Sequence, residues 1–280
     1  MPSTNYAYVN GRFLPESQAT ISVFDRGFLY GAGVFETMRV YSGKIFRLYE
    51  HLDRLAAGLK HLGIDSPLSP EELRAILCLL VERNEVRDGV ARIQVTSGGS
   101  RLWMSPLHDQ GASVVIVAQE REHPTGELTA IISSIRLDRV LSRHKTANRL
   151  VYMLAKQEAE RAGAHEAVLL SGMGRVMEFT ASNLFVVKHG ALYTPPLTDA
   201  PLPGITRDLV LTLARELRIA THETTLSLDF LCAADELFAT SSLIEILPVT
   251  QLNGRRIRAQ KTARRLHARY REVVVAELGL

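Results

Sequence analysis

The chain has 280 residues, 46% of them hydrophobic and 22% charged, with a formal net charge of +3. That is apolar material for one large core or two adjoining ones in a soluble globular protein, and too little charge to make nucleic acid or an anionic membrane the main partner. The two cysteines, Cys78 and Cys232, lie far apart in apolar stretches, which excludes a disulfide framework or a Cys-rich zinc site and reads both thiols as small core residues. Met1 to Gly11 has no signal-peptide pattern and no apolar run is long enough to span a bilayer, so a cytoplasmic location is expected.

Tyr6 to Phe13 alternates and turns at Asn10-Gly11, a hairpin signal. Val34 to Tyr41 and Lys44 to Leu48 read as strands joined at Ser42-Gly43. A helix near Glu50 carries Leu52, Leu55, Leu59 and Leu62 at helical spacing and closes at Gly63. The next helix begins with Ser69 as cap, Pro70 in the first turn and Glu72 completing a capping box. Val90 to Thr96 and Ser113 to Ala118 are strands. Polar QEREHPTG, residues 119–126, reads as a linker between a smaller N-terminal domain, 1–118, and a larger C-terminal domain, 127–280. Beyond it come a strand at Leu128 to Ile135, a helix from Ala147 to Ala162, strands at Glu166 to Ser171 and Asn183 to Val187, a helix from Thr206 to Arg218, a strand at Glu236 to Thr240, and a final helix from Thr262 to Glu277. Strands and helices mix in both halves, so the class is α/β or α+β.

Gly31-Ala32-Gly33 and Gly172-Met173-Gly174 lack the third glycine of a dinucleotide fingerprint, and neither a P-loop nor a G-x-S-x-G elbow occurs. The nine histidines show no metal-ligand spacing, so no metal is expected. The arginine-dense run from Arg255 to Arg271 reads as a solvated helix face rather than a nucleic-acid surface. Four segments place unusual residues where chemistry can use them. In DRGFLYGAGVFETMRV, glycines 27, 31 and 33 suit tight turns or the close approach of a ligand. In EHLDRL, Arg54 can fork onto a phosphate or simply face solvent. In SRHKTANRLVYMLAKQEA, Lys145 stands beside His144 just ahead of a helix, as a nucleophile or as an ordinary surface lysine. In RVMEFTASNLFVV, Glu178 interrupts an apolar strand region, where a carboxylate is costly without a partner; a protonated pyridine nitrogen or an arginine would serve. Two further segments look like anion cradles. LPGITRDLV sets Gly204, Ile205 and Thr206 at a helix start, and ATSSLIEILPV sets Thr240, Ser241 and Ser242 after a strand. Each also reads as plain capping.

In their order and spacing, these segments resemble the class IV aminotransferase family, which includes D-amino-acid and branched-chain aminotransferases and aminodeoxychorismate lyase. The similarity runs from YVNGRF to ADELFATSSLIEILPV. It implies a two-domain fold type IV enzyme that uses pyridoxal 5′-phosphate, is usually a homodimer, and holds the cofactor between a smaller N-terminal and a larger C-terminal domain. Lys145 would carry the cofactor as a Schiff base and move the proton between Cα and C4′. Glu178 would keep the pyridine nitrogen protonated, making the ring an electron sink. Arg54 would bind the phosphate together with the Gly204-Ile205-Thr206 backbone and Ser241-Ser242, and Leu202 would lie against one ring face.

The reaction is less sharply marked. DRGFLYGAGVFETMRVYSGK looks like aminodeoxychorismate lyases, which release pyruvate and 4-aminobenzoate; LAKQEA, LPGITRD and ADELFATSS look as much like D-amino-acid aminotransferases. The latter carry tyrosine at the position of Phe35. The family's arginine in the T-R-G motif is replaced by Ser97, leaving Arg101 as a substrate-carboxylate candidate beside Phe35. The leading expectation is a transaminase working between an amino donor and a 2-oxo acid. The lyase is the alternative, with a non-catalytic phosphate-ligand or nucleic-acid binder more remote.

Overall fold

A computed structural model describes residues 5–99 and 111–280. The chain divides into two compact units: Met1–His123 with His144–Asn148, and Pro124–Arg143 with Arg149–Leu280. Both mix helices with strands.

In the first unit, β1 (Tyr6–Val9) and β2 (Arg12–Pro15) form a hairpin. Asn10 and Gly11 both take positive φ, 46° and 89°, which a two-residue hairpin turn requires and an Asn-Gly pair accepts with little strain. A short helix, α1 (Arg26–Tyr30), leads into β3 (Gly33–Tyr41) and β4 (Lys44–Ile45). The strand expected over 44–48 stops early because Arg47 turns to φ 55° and Leu48 opens α2 (Leu48–Leu62). The helix α3 (Pro70–Arg83) starts with the Ser69–Glu72 capping box and is followed by β5 (Gly89–Thr96) and β6 (Ser113–Glu120). Among the described residues these strands make one antiparallel sheet, ordered β2-β1-β6-β5-β3-β4.

The alternation of side chains along each strand sorts the two faces of this sheet. Val34, Met38, Ala91, Ile93, Val95, Val114 and Ile116 share a core with Leu52, Leu55 and Leu59 of α2 and Leu73, Leu77 and Leu80 of α3. The residues between them, including Phe35, Arg92, Gln94 and Thr96, therefore face the other way. Leu62, at the end of the leucine series, is exposed.

The second unit contains β7 (Leu128–Leu137), α4 (Arg139–Ser142), α5 (Leu150–Arg161), β8 (Glu166–Ser171), β9 (Val176–Phe179), β10 (Asn183–Lys188), β11 (Ala191–Thr194), α6 (Ile205–Glu216), β12 (Thr221–Glu223), α7 (Leu228–Cys232), β13 (Glu236–Ser241), β14 (Glu245–Leu252), β15 (Arg255–Arg256) and α8 (Lys261–Leu278). Its mixed sheet runs β12-β11-β10-β13-β14-β7-β8-β9, with β15 on β14. Tyr152, Ala155 and Ala159 of α5 pack on Leu137, Ala167, Leu169 and Met177.

Further expectations differ from the structure for physical reasons. β6 continues to Glu120, beyond the boundary placed at 118, because Gly89 and Val90 still pair with Glu120 and Gln119. The helix expected from Ala147 begins at Leu150, since residues 144–148 are drawn to the first unit: Ala147 N donates to Gly33 O at 2.8 Å and Phe35 N to Lys145 O at 3.0 Å. Lys145 thus groups with the N-terminal unit rather than with the C-terminal domain. The cysteines are not core residues: both are unpaired and exposed, Cys78 next to the buried Leu77 and Cys232 next to the buried Leu231. Among the described residues, no helix is long and apolar enough to cross a membrane.

Leu77 is fully buried where α3 meets the sheet. Leu77→Ala is expected to cost about 2–5 kcal/mol through lost burial and a residual cavity, read as a lower urea midpoint at unchanged slope.

Candidate active site

The first unit holds a buried charge cluster. Glu36 lies on the helix-facing side of β3, between Val34 and Met38, and is 0% exposed. A carboxylate there must be met by donors from α2, and two residues three apart on one helix face supply them. Arg54 forks onto it, Nε to Oε1 and Nη2 to Oε2, both at 2.7 Å. His51 Nδ1 lies 2.7 Å from Oε2. Burial pushes the Glu36 pKa up, but the Arg54 charge and the hydrogen bonds outweigh it and bring it to about 2. Burial drives the His51 imidazole below its usual range against the pull of Glu36. The ring is therefore neutral and, facing a carboxylate, carries its proton on Nδ1. Lys145 adds to the lowering at His51.

Lys145 is half-buried, its carbonyl fixed by Phe35 N at 3.0 Å and its Nζ 5.0 Å from the centre of the Phe35 ring. His144 stacks on His61 of α2 at 4.1 Å, which ties the segment to that helix. The Arg92 guanidinium stands 3.9 Å from the same Phe35 ring and lines a pocket of about 180 Å³ with Gln94, Thr96, Asp25 and Ser113. Gly33 allows strand contact where a Cβ would come within 2.6 Å of Val95 O. Arg101 lies outside the described residues.

The second unit has buried carboxylates of its own. Glu178 on β9 is 3% exposed; its Oε1 accepts from the Tyr152 hydroxyl at 3.1 Å, and its Oε2 from Leu202 N at 2.9 Å and Asn183 Nδ2 at 3.4 Å. Asn183 Nδ2 also donates to Leu202 O at 2.8 Å. The segment is thereby held at both backbone groups of Leu202, and Gly204 follows as the N-cap of α6. Only glycine fits at 204, because a Cβ would come within 1.9 Å of Asn183 Oδ1. The first-turn N–H groups of Ile205 and Thr206 precede any helical acceptor, as at every helix start. Ser241 ends β13, and its Oγ accepts from Ile244 N at 3.4 Å. Glu245, at φ 53° and fully buried, closes this turn through His267 Nε2 at 2.6 Å and Arg271 at 2.7 Å on α8.

The sequence family described as "Amino-transferase class IV" matches residues 33–252. A putative branched-chain-amino-acid aminotransferase of Methanocaldococcus jannaschii is 42% identical over 89% of this chain and 88% of its own. A D-alanine aminotransferase of Bacillus licheniformis is 36% identical over 89% of this chain and 88% of its own. The crystal structure of a branched-chain aminotransferase from the archaeon Thermoproteus uzoniensis, with norvaline, superposes with a TM-score of 0.92 at 30% identity, covering 98% of this chain and 95% of that one. The chain belongs to the class IV aminotransferases.

Enzymes of this class depend on pyridoxal 5′-phosphate, and the residues present fit that group. Among the described residues, the Thr240 and Ser182 hydroxyl oxygens are buried without a hydrogen-bond partner. Each costs about 1–3 kcal/mol if left dry, so a polar ligand or water is called for. Thr240 stands opposite Asn183 in the β10–β13 register, and Asn183 is the residue that donates to Leu202 O. For this class IV aminotransferase, sequence reasoning missed Glu36, His51, Tyr152, Asn183 and Glu245. Glu36 was detectable by the rule that flagged Glu178, a carboxylate inside an apolar strand. Glu245 was not, because its burial depends on a helix that begins 16 residues later.

The folded pKa of Glu36 lies below its unfolded value, so its contribution to stability is complete above about pH 4.5 and is lost as pH falls through about 2. Glu36→Gln is expected to flatten the stability profile in that window. It should also lower stability at pH 7 by about 3 kcal/mol, since Arg54 loses its counter-charge; urea titrations from pH 2 to 7 check both effects.

Proposed function

We propose that this enzyme is a transaminase exchanging the amino group of a small apolar amino acid with a 2-oxo acid. The observation that carries the reading is Glu178, a carboxylate buried on an apolar strand and aimed by donors on both oxygens. Such a group is suited to hold a cationic N–H, the protonated pyridine nitrogen of the cofactor. Pyridoxal phosphate, when bound, supplies an electron sink for the substrate's Cα. Lys145 Nζ would be the amine that holds it, and would move the Cα proton. The α6 backbone at Gly204, Ile205 and Thr206 with the Ser241 and Ser242 hydroxyls would hold the phosphate, a role the family resemblance also implies for Arg54. Leu202 would pack against the ring.

Phe35 and Arg92 form a substrate wall in this reading, with Arg92 placed to hold a substrate carboxylate, and Arg101 stays proposed for the same role. The names of the two relatives, a branched-chain and a D-alanine aminotransferase, support a small apolar donor. The two exposed, unpaired thiols favour a reducing compartment, the cytoplasm.

The test begins with borohydride reduction of the protein with bound cofactor. The peptide containing Lys145 should gain the pyridoxyl group, and Lys145→Ala should lose both this adduct and roughly 10³-fold or more of kcat. Addition of L-leucine or D-alanine without acceptor should convert bound cofactor to pyridoxamine phosphate with one equivalent of 2-oxo acid. Repeated release of pyruvate from aminodeoxychorismate, with no such conversion, would replace this reading with the lyase. A wild-type protein that traps no cofactor on Lys145 would overturn both.

The enzyme is further proposed to be a homodimer. Ile21, Val23, Phe24, Phe28, Leu29 and Tyr30 are all exposed within ten residues of the first unit, Phe28 by 67% and Val23 by 64%. So dense an apolar run is typical of a covered surface. Phe28→Asp is expected to shift the protein from dimer to monomer in sedimentation velocity; an unchanged dimer would place the interface elsewhere.

A further inference from the structure

We propose that Tyr152, held by Arg149, is a positioning residue that orients Glu178 and sets how strongly its carboxylate holds a proton. The inference deepens the reading of Glu178 as the partner of the ring nitrogen and rests on it. Tyr152 comes from the buried face of α5 and is 3% exposed, its ring packed with Leu137, Ala155 and Met177. Its hydroxyl donates to Glu178 Oε1, while Leu202 N and Asn183 Nδ2 donate to Oε2, so Tyr152 is the donor that brings α5 to bear on the carboxylate.

Two features make this bond more than packing. The phenol is pushed above its usual range, by burial first and by the Glu178 charge next, so it remains a neutral donor at every working pH. The ring is also clamped. The Arg149 guanidinium lies 3.3 Å from the Tyr152 ring centre while its Nη2 donates to Thr180 O at 3.0 Å. Thr180 in turn is fixed by Glu166 Oε2, which accepts from its hydroxyl at 2.5 Å and from its N–H at 3.1 Å. The Tyr152 hydroxyl is thereby locked between α5 and the turn joining β9 to β10.

The consequence has a definite sign. A hydrogen bond to the charged form of a carboxylate lowers its affinity for a proton. Removing the Tyr152 hydroxyl raises that affinity, so a proton shared with a ring nitrogen moves toward Glu178.

Tyr152→Phe keeps the ring and removes the bond. In holoenzyme with ring-¹⁵N-labelled pyridoxal phosphate, the nitrogen signal should move from the protonated toward the unprotonated position. The same variant should lose about tenfold in kcat, the worth of one hydrogen bond to a charged group, with cofactor affinity changed less than about threefold. In a double-mutant cycle, the kcat loss from Tyr152→Phe should vanish in the Glu178→Gln background. Arg149→Met should shift the nitrogen signal in the same direction, which separates clamping from any local damage in Tyr152→Phe. An unshifted nitrogen signal, or an equal kcat loss in both backgrounds, would overturn the positioning role. An unprotonated nitrogen in the wild-type holoenzyme would instead overturn the reading of Glu178, and this proposal with it.

Discussion

Burying a carboxylate costs several kcal/mol unless donors meet it, and this chain does so at Glu36 and again at Glu178. Each burial organises its surroundings. Glu36 requires α2 to present His51 and Arg54 to β3, and the fork fixes the guanidinium plane rather than leaving it to sweep solvent. Glu178 requires a main-chain N–H, so the segment at Leu202 is set down where α6 can begin at Gly204. Remove either charge, and groups already deprived of water lose a charged partner. The chemistry and the architecture therefore draw on the same few hydrogen bonds.

The segment carrying Lys145 shows how chain order and spatial grouping part company. Residues 144–148 lie in sequence within the C-terminal half, yet their backbone completes hydrogen bonds with Gly33 and Phe35 of the N-terminal unit. A strand-like attachment holds a side chain more firmly than the frayed first turn of a helix, where the sequence pattern had placed its neighbours. The His61–His144 stack adds a second anchor from α2.

Much of this was legible in the residues themselves. Asn10-Gly11, the Ser69–Glu72 box and the leucine spacing of α2 are local signals, and local physics sufficed to place those elements. Membership in the class IV aminotransferases was legible from the order of motifs that were weak individually. The partners of the charged residues were not. Arg54 reads as a phosphate ligand or a solvent-facing residue, and nothing in the sequence announces that Glu36 takes its Nε and Nη2; that pairing spans 18 positions and a change from strand to helix. Strand β14 escaped notice because Glu245 and Pro248 interrupt its pattern, and its place is fixed by pairing with β13 and β7. Both cysteines were misplaced because an apolar stretch in a helix still has a wet side, and Cys78 and Cys232 lie on it.

Those two thiols have a use of their own. One lies on α3 in the first unit and the other closes α7 in the second, and the sequence contains no others. Dyes attached through them would report the separation of the two units directly in the unaltered protein, molecule by molecule. The enzyme thus carries a built-in ruler, and adding cofactor or substrate would show whether the units move as it turns over.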